Sequence, residues 1–179
     1  MGTVYDVITP ELTAWIGQQR IIFVATAPLS VDGHVNCSPK GLDVLRILGP
    51  CSVAYLDLTG SGIETVAHLR ENGRLVLMFC AFEGPPKIVR LHGRGAVLAP
   101  GESRFEGLRE HFPDMTGARS IIFMDVDRIS DSCGFGVPIY QFINDRDQLT
   151  KFHAAKGHAG LQAYRNTKNA ASIDGLGGV

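Results

Sequence analysis

The run Arg74–Phe82 constrains the fold more than any other part of the chain. Leu75, Val76, Leu77, Met78 and Phe79 follow one another without a polar residue between them. A short, unbroken apolar run bounded by turn residues reads as a strand buried on both faces. Here the bounds are Asn72-Gly73 and Gly84-Pro85-Pro86. The neighbouring segments have the same character. Arg20–Ala27 is β-branched and aromatic, Asp32-Gly33 is a turn, and His34–Ser38 returns as the second arm of a hairpin. Leu42–Leu48 reads as a third strand, Gly49-Pro50 breaks the chain, and Cys51–Leu58 reads as a fourth. Lys87–Leu98 is long, with Arg90, His92 and Arg94 on one face, and Ser120–Ile129 is again apolar. Six or seven strands joined mostly by short turns lack the regular strand–helix alternation of a doubly wound sheet. The expected class is mainly β (α+β): a predominantly antiparallel barrel with helices packed outside it.

The helices are few. Thr9 and Pro10 suit the cap and first turn of a helix to Gln19, with Leu12, Trp15 and Ile16 facing a core. Ser61 and Glu64 have capping-box spacing, and Asn72-Gly73 supplies the stop. A short helix after Pro100 carries Phe105, Leu108 and Phe112 as its stripe. From about Asp147 the chain is polar and Ala-rich and reads as one or two helices, with Asp174–Val179 frayed.

Composition narrows the function classes. The 179 residues suit one domain, and the 45% hydrophobic share suits a sizeable core. The net charge of −1 gives no basic surface for nucleic acid. No apolar run approaches the ~18–20 residues of a membrane span, and no secretory leader opens the chain. A soluble, cytoplasmic protein is expected. The four cysteines form no CxxC pair and read as reduced thiols, Cys51 and Cys80 as small hydrophobes within strands. The six histidines lack metal-ligand spacing, so no metal is expected.

Three segments could carry chemistry. Asn36-Cys37-Ser38-Pro39-Lys40-Gly41 ends a strand and offers a hydroxyl, an ammonium and a bare backbone to an anionic ligand. It also reads as an ordinary strand exit with a solvated lysine. Thr59-Gly60-Ser61-Gly62-Ile63-Glu64-Thr65 could cradle a phosphate at a helix N-terminus, or be a capped helix start and nothing more. It lacks the lysine of a Walker loop. Cys133-Gly134-Phe135-Gly136-Val137-Pro138 reads as a tight turn with a buried thiol, or as a loop laid against a flat ligand. The glycines of Gly93-Arg94-Gly95 mark a bulge or a close contact in a curved sheet.

In order and spacing these segments resemble the FMN-binding split-barrel proteins related to pyridoxamine 5′-phosphate oxidase, over roughly residues 10–140. The resemblance is carried by His34–Gly41, Val53–Thr59, His68–Arg74 with the apolar strand to Phe79, and Leu91–Gly95. It implies an antiparallel split β-barrel over residues 1–140, with a C-terminal helical extension at 141–179 packed on the same domain. It implies a homodimer with FMN in clefts between the subunits. Ser38, Pro39 and Lys40 would lie beside the flavin, Leu56 and Asp57 would line the site, and Thr59, Ser61, Gly62 and Thr65 would hold the phosphate. The Gly134–Pro138 loop would reach a flavin of either subunit. The implied function is an FMN-dependent oxidoreductase acting on a small molecule, with no catalytic acid or base assigned. The rivals are a flavin- or haem-binding carrier or sensor, a deazaflavin-dependent reductase, and a degenerate barrel that serves only as a dimeric interaction module. Two departures bear on this. No lysine or arginine stands early in the phosphate-side helix, and the chain ends Ser172-Ile173-Asp174-Gly175-Leu176 without the oxidase's Arg-Leu-x-Pro segment. Vitamin B6 synthesis is therefore not expected.

Overall fold

The computed structural model describes residues 2–178. Eight strands form one antiparallel sheet: β1 (Val4–Tyr5), β2 (Ile22–Thr26), β3 (Asn36–Lys40), β4 (Leu45–Gly49), β5 (Ser52–Leu58), β6 (Arg74–Cys80), β7 (Ile88–Leu98) and β8 (Ala118–Ser132). Their order is β3-β2-β6-β7-β8-β5-β4, with β1 paired to β8. The path is open between β3 and β4, which makes a mainly β split barrel rather than a closed one. Four helices flank it: α1 (Pro10–Gly17), α2 (Glu64–Asn72), α3 (Ser103–Arg109) and α4 (Gln148–Lys168). No helix among the described residues is long and apolar enough to cross a membrane.

Seven of the strands follow the sequence pattern. The two-residue β1 is too short to leave one. The β2–β3 hairpin pairs Val24 with Ser38 and Phe23 with Pro39. Pro39 has no N–H to donate and is tolerated because β3 is the edge of the sheet. Strand β6 departs from expectation. Leu75, Leu77 and Phe79 are buried, whereas Val76 and Met78 are only partly so. An antiparallel sheet packs one face on its core and turns the other outward, and a single apolar run does not reveal that asymmetry. The core itself is built from β2, β5, β6, β7 and β8, including Val24, Tyr55, Leu77, Leu91 and Ile122.

The β7–β8 ladder slips between His92 and Gly93, because Asp127 is an extra residue in β8. A Cβ at Gly93 would lie 1.9 Å from the carbonyl oxygen of Asp125. Only glycine allows that approach, so the sequence reading of a bulge and a close contact both hold.

Helix α1 is capped as expected, with the Thr9 hydroxyl accepting from the Leu12 N–H at 3.2 Å. Helix α2 ends on Gly73 in the left-handed conformation, φ +69°. Its start differs from the expected capping box. Ile63 occupies the cap position and no side chain caps the helix. The carbonyls before it are held by Asn169 and Arg119, which fixes Ser61 out of capping position. Helix α4 is kinked at Gly157. Residues 174–178 are not frayed, and Val179 lies outside the described residues. The Ser172 N–H donates to Leu176 O, Ala171 bridges Gly177, and Asp174 pairs with His34 at 2.6 Å. All four cysteines are free. Cys80 is buried, but Cys51 and Cys133 are exposed, against the sequence reading, because Cys51 lies in the turn before β5 and Cys133 in irregular chain just past the end of β8.

Candidate functional site

The open side of the barrel holds a cavity of about 500 Å³. Its floor is the end of β3 and the end of β5. Pro39 and Lys40 come from the first, Leu56 and Leu58 from the second, and Thr59 and Gly60 continue the wall. Alternation along β5 explains the choice: Leu56 and Leu58 project to the cavity side, and Asp57 projects to the other. The segment after β8 returns across the opening and adds Phe142, Arg146 and Leu149. The result is an apolar floor rimmed by cations, with Arg20, Lys40 and Arg146 on the wall and Asp145 the one acidic residue there. Among the described residues, Arg20 and Arg146 form no ion pair.

Asp57 lies behind the floor, buried at 1% exposure, and organises the charges around it. Its Oδ1 is 3.3 Å from Lys40 Nζ. Its Oδ2 is 2.8 Å from the guanidinium of Arg119 and accepts from the Ser120 hydroxyl at 3.2 Å. Arg119 is itself buried and donates to Gly62 O and Asn169 Oδ1. Arg165 of α4 donates to the Thr59 hydroxyl oxygen and to Ala118 O. Burial first, and the nearby Arg119 charge second, lower the Arg165 pKa from its ordinary value. Three cationic side chains thus surround one carboxylate, which leaves a positive excess beneath the Thr59–Gly62 loop.

That loop is held by its carbonyls. His153 Nε2 donates to Thr59 O at 2.7 Å, Asn169 Nδ2 to Gly60 O and Ser61 O, and Arg119 to Gly62 O. The opposite ends of these peptide units are unpaired. Among the described residues, the amide N–H groups of Gly60, Ser61, Gly62, Ile63, Glu64 and Thr65 donate no hydrogen bond. Successive unpaired amides leading into a helix N-terminus suit an anion. One acidic group opposes this: the Glu64 carboxylate lies against Gly62.

The candidate residues read from the sequence therefore separate. Pro39, Lys40, Leu56 and Thr59 meet at the cavity, and Asp57 reaches it through Lys40. Ser61 and Gly62 lie in the adjoining loop with their carbonyls held. Ser38 and Thr65 face inward, into a chain of polar side chains on the core side of the hairpin. The Ser38 hydroxyl donates to Asn36 Oδ1. Asn36 Nδ2 donates to the oxygens of Thr26 and Thr65, and Thr26 meets His68 Nδ1 at 3.0 Å. The Gly134–Pro138 loop lines neither this cavity nor the larger cleft beside it, and Phe135 is 82% exposed. Sequence reasoning missed Arg20, Arg119, Arg146, Arg165 and Asn169. No local motif marks them, and Arg119 and Asn169 meet only because α4 folds back on the loop.

Comparison with known proteins agrees with this fold. The family model for pyridoxamine 5′-phosphate oxidase matches residues 8–133. The Aspergillus flavus protein named pyridoxamine 5′-phosphate oxidase family protein ustO is 38% identical over 196 residues, covering all of this chain and 78% of its own length. Among solved structures, HupZ of Group A Streptococcus superposes with a TM-score of 0.52 at 21% identity, covering 68% of this chain and 91% of HupZ. A FAD-binding protein of Mesorhizobium loti superposes with a TM-score of 0.50 at 14% identity, covering 73% of this chain and 96% of its own. The chain belongs to the pyridoxamine 5′-phosphate oxidase family.

Proposed function

We propose that this member of the pyridoxamine 5′-phosphate oxidase family binds FMN in the Lys40 cavity and serves as an FMN-dependent oxidoreductase on a small molecule, as a homodimer. The observation that carries the flavin is the pairing of two surfaces. One is the apolar floor of Pro39, Leu56 and Leu58. The other is the set of unpaired amides at 60–65, with a positive excess behind them. A flavin mononucleotide has the matching halves, a flat ring and a dianionic phosphate. A cavity of about 500 Å³ is of cofactor size, within the ~300–1,000 Å³ range of such sites. The Mesorhizobium loti neighbour's description as FAD-binding supports a flavin of either kind.

Bound flavin would supply the electron-transfer chemistry. The protein's part is binding and electrostatics. Lys40, held by Asp57, would present a fixed positive charge beside the ring or its ribityl chain. The loop amides and Lys40 would hold the phosphate, which answers the missing basic residue early in α2: Arg119 and Arg165 supply charge from other elements. Leu56, Leu58 and Phe142 would keep water from the ring.

The first experiment is an absorption spectrum of the purified protein, followed by titration with FMN and with FAD. Flavin bands or saturable binding are expected, with FMN tighter than FAD. Lys40→Ala should weaken FMN about tenfold or more, the scale of one charge-assisted hydrogen bond. Protein that stays colourless and ignores both flavins would refute the reading.

A further inference from the structure

A second, larger opening adjoins the Lys40 cavity, and the flavin reading gives it no role. This cleft of about 670 Å³ lies between the end of α1, the β6–β7 turn and the 140–142 segment. It shares Arg20, Ile21 and Phe142 with the Lys40 cavity, so a molecule in one abuts a molecule in the other.

Its walls are aromatic. Tyr140 stacks on Phe82 with ring centroids 5.4 Å apart and planes 13° from parallel, and it is 61% exposed. Trp15 and Phe142 complete the lining, with Pro85 and Pro86 stiffening the far side. Aromatic rings held by neighbours but open on one side favour a further ring in an offset stack.

Its charges are unequal in availability. Lys87 is already placed 3.4 Å from Asp131. Glu83 accepts the Phe142 N–H at 3.0 Å and so anchors the 140–142 segment. Arg20 lies over the Phe142 ring at 4.8 Å and, among the described residues, has no hydrogen bond or ion pair. A guanidinium with its fork unfilled matches a carboxylate.

We infer that this cleft is a second ligand site taking a planar aromatic carboxylate, its ring against the Tyr140 wall and its carboxylate on Arg20. The site rests on the flavin reading only for its purpose: it would place the ring of a substrate next to the flavin. Its occupancy can be measured without activity, because Trp15 is the single tryptophan of the chain and lines the cleft.

The test titrates benzoate into the full-length protein, with and without FMN, and follows Trp15 emission. Cyclohexanecarboxylate, equally charged but not planar, is the comparison. Saturable change with benzoate is expected, with cyclohexanecarboxylate weaker. Arg20→Gln should weaken benzoate about tenfold or more. Tyr140→Ala should weaken it about two- to tenfold. Because Tyr140 does not line the Lys40 cavity, that variant should keep its FMN affinity. Equal response to both acids, or no response while FMN still binds, overturns the inference and leaves the flavin reading intact. A benzoate response in a protein that binds no flavin would sustain the cleft and sink the flavin reading.

Discussion

At the scale of the residue, His68 shows how burial sets both chemistry and stability. It has no exposed surface, its Nδ1 meets the Thr26 hydroxyl, and its Nε2 has no partner among the described residues. Asn36 donates to the same Thr26 oxygen, which joins His68 to the polar chain of the hairpin. Desolvation holds the His68 pKa below its ordinary value of 6.5 despite the acidic Asp174, Glu64 and Glu71 nearby. A histidine kept neutral in the fold binds a proton more readily when unfolded. Its contribution is therefore complete above pH 6.5 and declines as pH falls toward its depressed folded value. Urea denaturation at a series of pH values should show that decline, and His68→Gln should flatten it. An unchanged slope in the variant would assign the acid lability elsewhere.

At the scale of the element, α4 and the residues after it are part of the site. Through Asn169, the end of α4 ties Gly60, Ser61 and Arg119 together, and through His153 and Arg165 it fixes Thr59. Asn169→Ala would leave a buried guanidinium and two loop carbonyls short of partners. The expected cost is about 1–3 kcal/mol, read as a loss of about 2–4 °C in Tm for each kcal/mol. FMN affinity should fall as well, although Asn169 does not line the cavity, because the loop amides lose their alignment. A variant with lowered Tm but unaltered FMN binding would separate the tail from the phosphate loop.

At the scale of the whole molecule, the exposed apolar side chains point to a second copy. Phe135, Ile139 and Ile143 are 82–85% exposed and follow one another along a short stretch after β8. The outward face of β6 adds the partly buried Val76 and Met78. Large apolar side chains left this exposed support the proposed dimer, since extended apolar surface marks an interface more often than a solvated exterior. Sedimentation should give a dimer, and the pair Ile139→Asp with Ile143→Asp should shift it toward monomer. A wild-type monomer loaded with flavin would count against the proposed assembly.

The amino-acid sequence by itself determined what depends on near neighbours. Hydrophobic runs and turn residues set seven strands, Thr9 and Pro10 the start of α1, and Gly73 the end of α2. The glycine at 93 announced the bulge, and Pro39-Lys40 with Thr59 marked the cavity wall. Tertiary structure decided what depends on residues far apart in the chain. Ser61 does not cap α2 because Asn169, 108 positions away, holds its carbonyl. Residues 171–178 are held in place because Asp174 meets His34 across 140 positions. The positive charge at the loop comes from Arg119 and Arg165 rather than from α2. Local pattern encodes backbone period and turn chemistry. Which polar groups pair after burial is settled only when the sheet closes round them and α4 folds back.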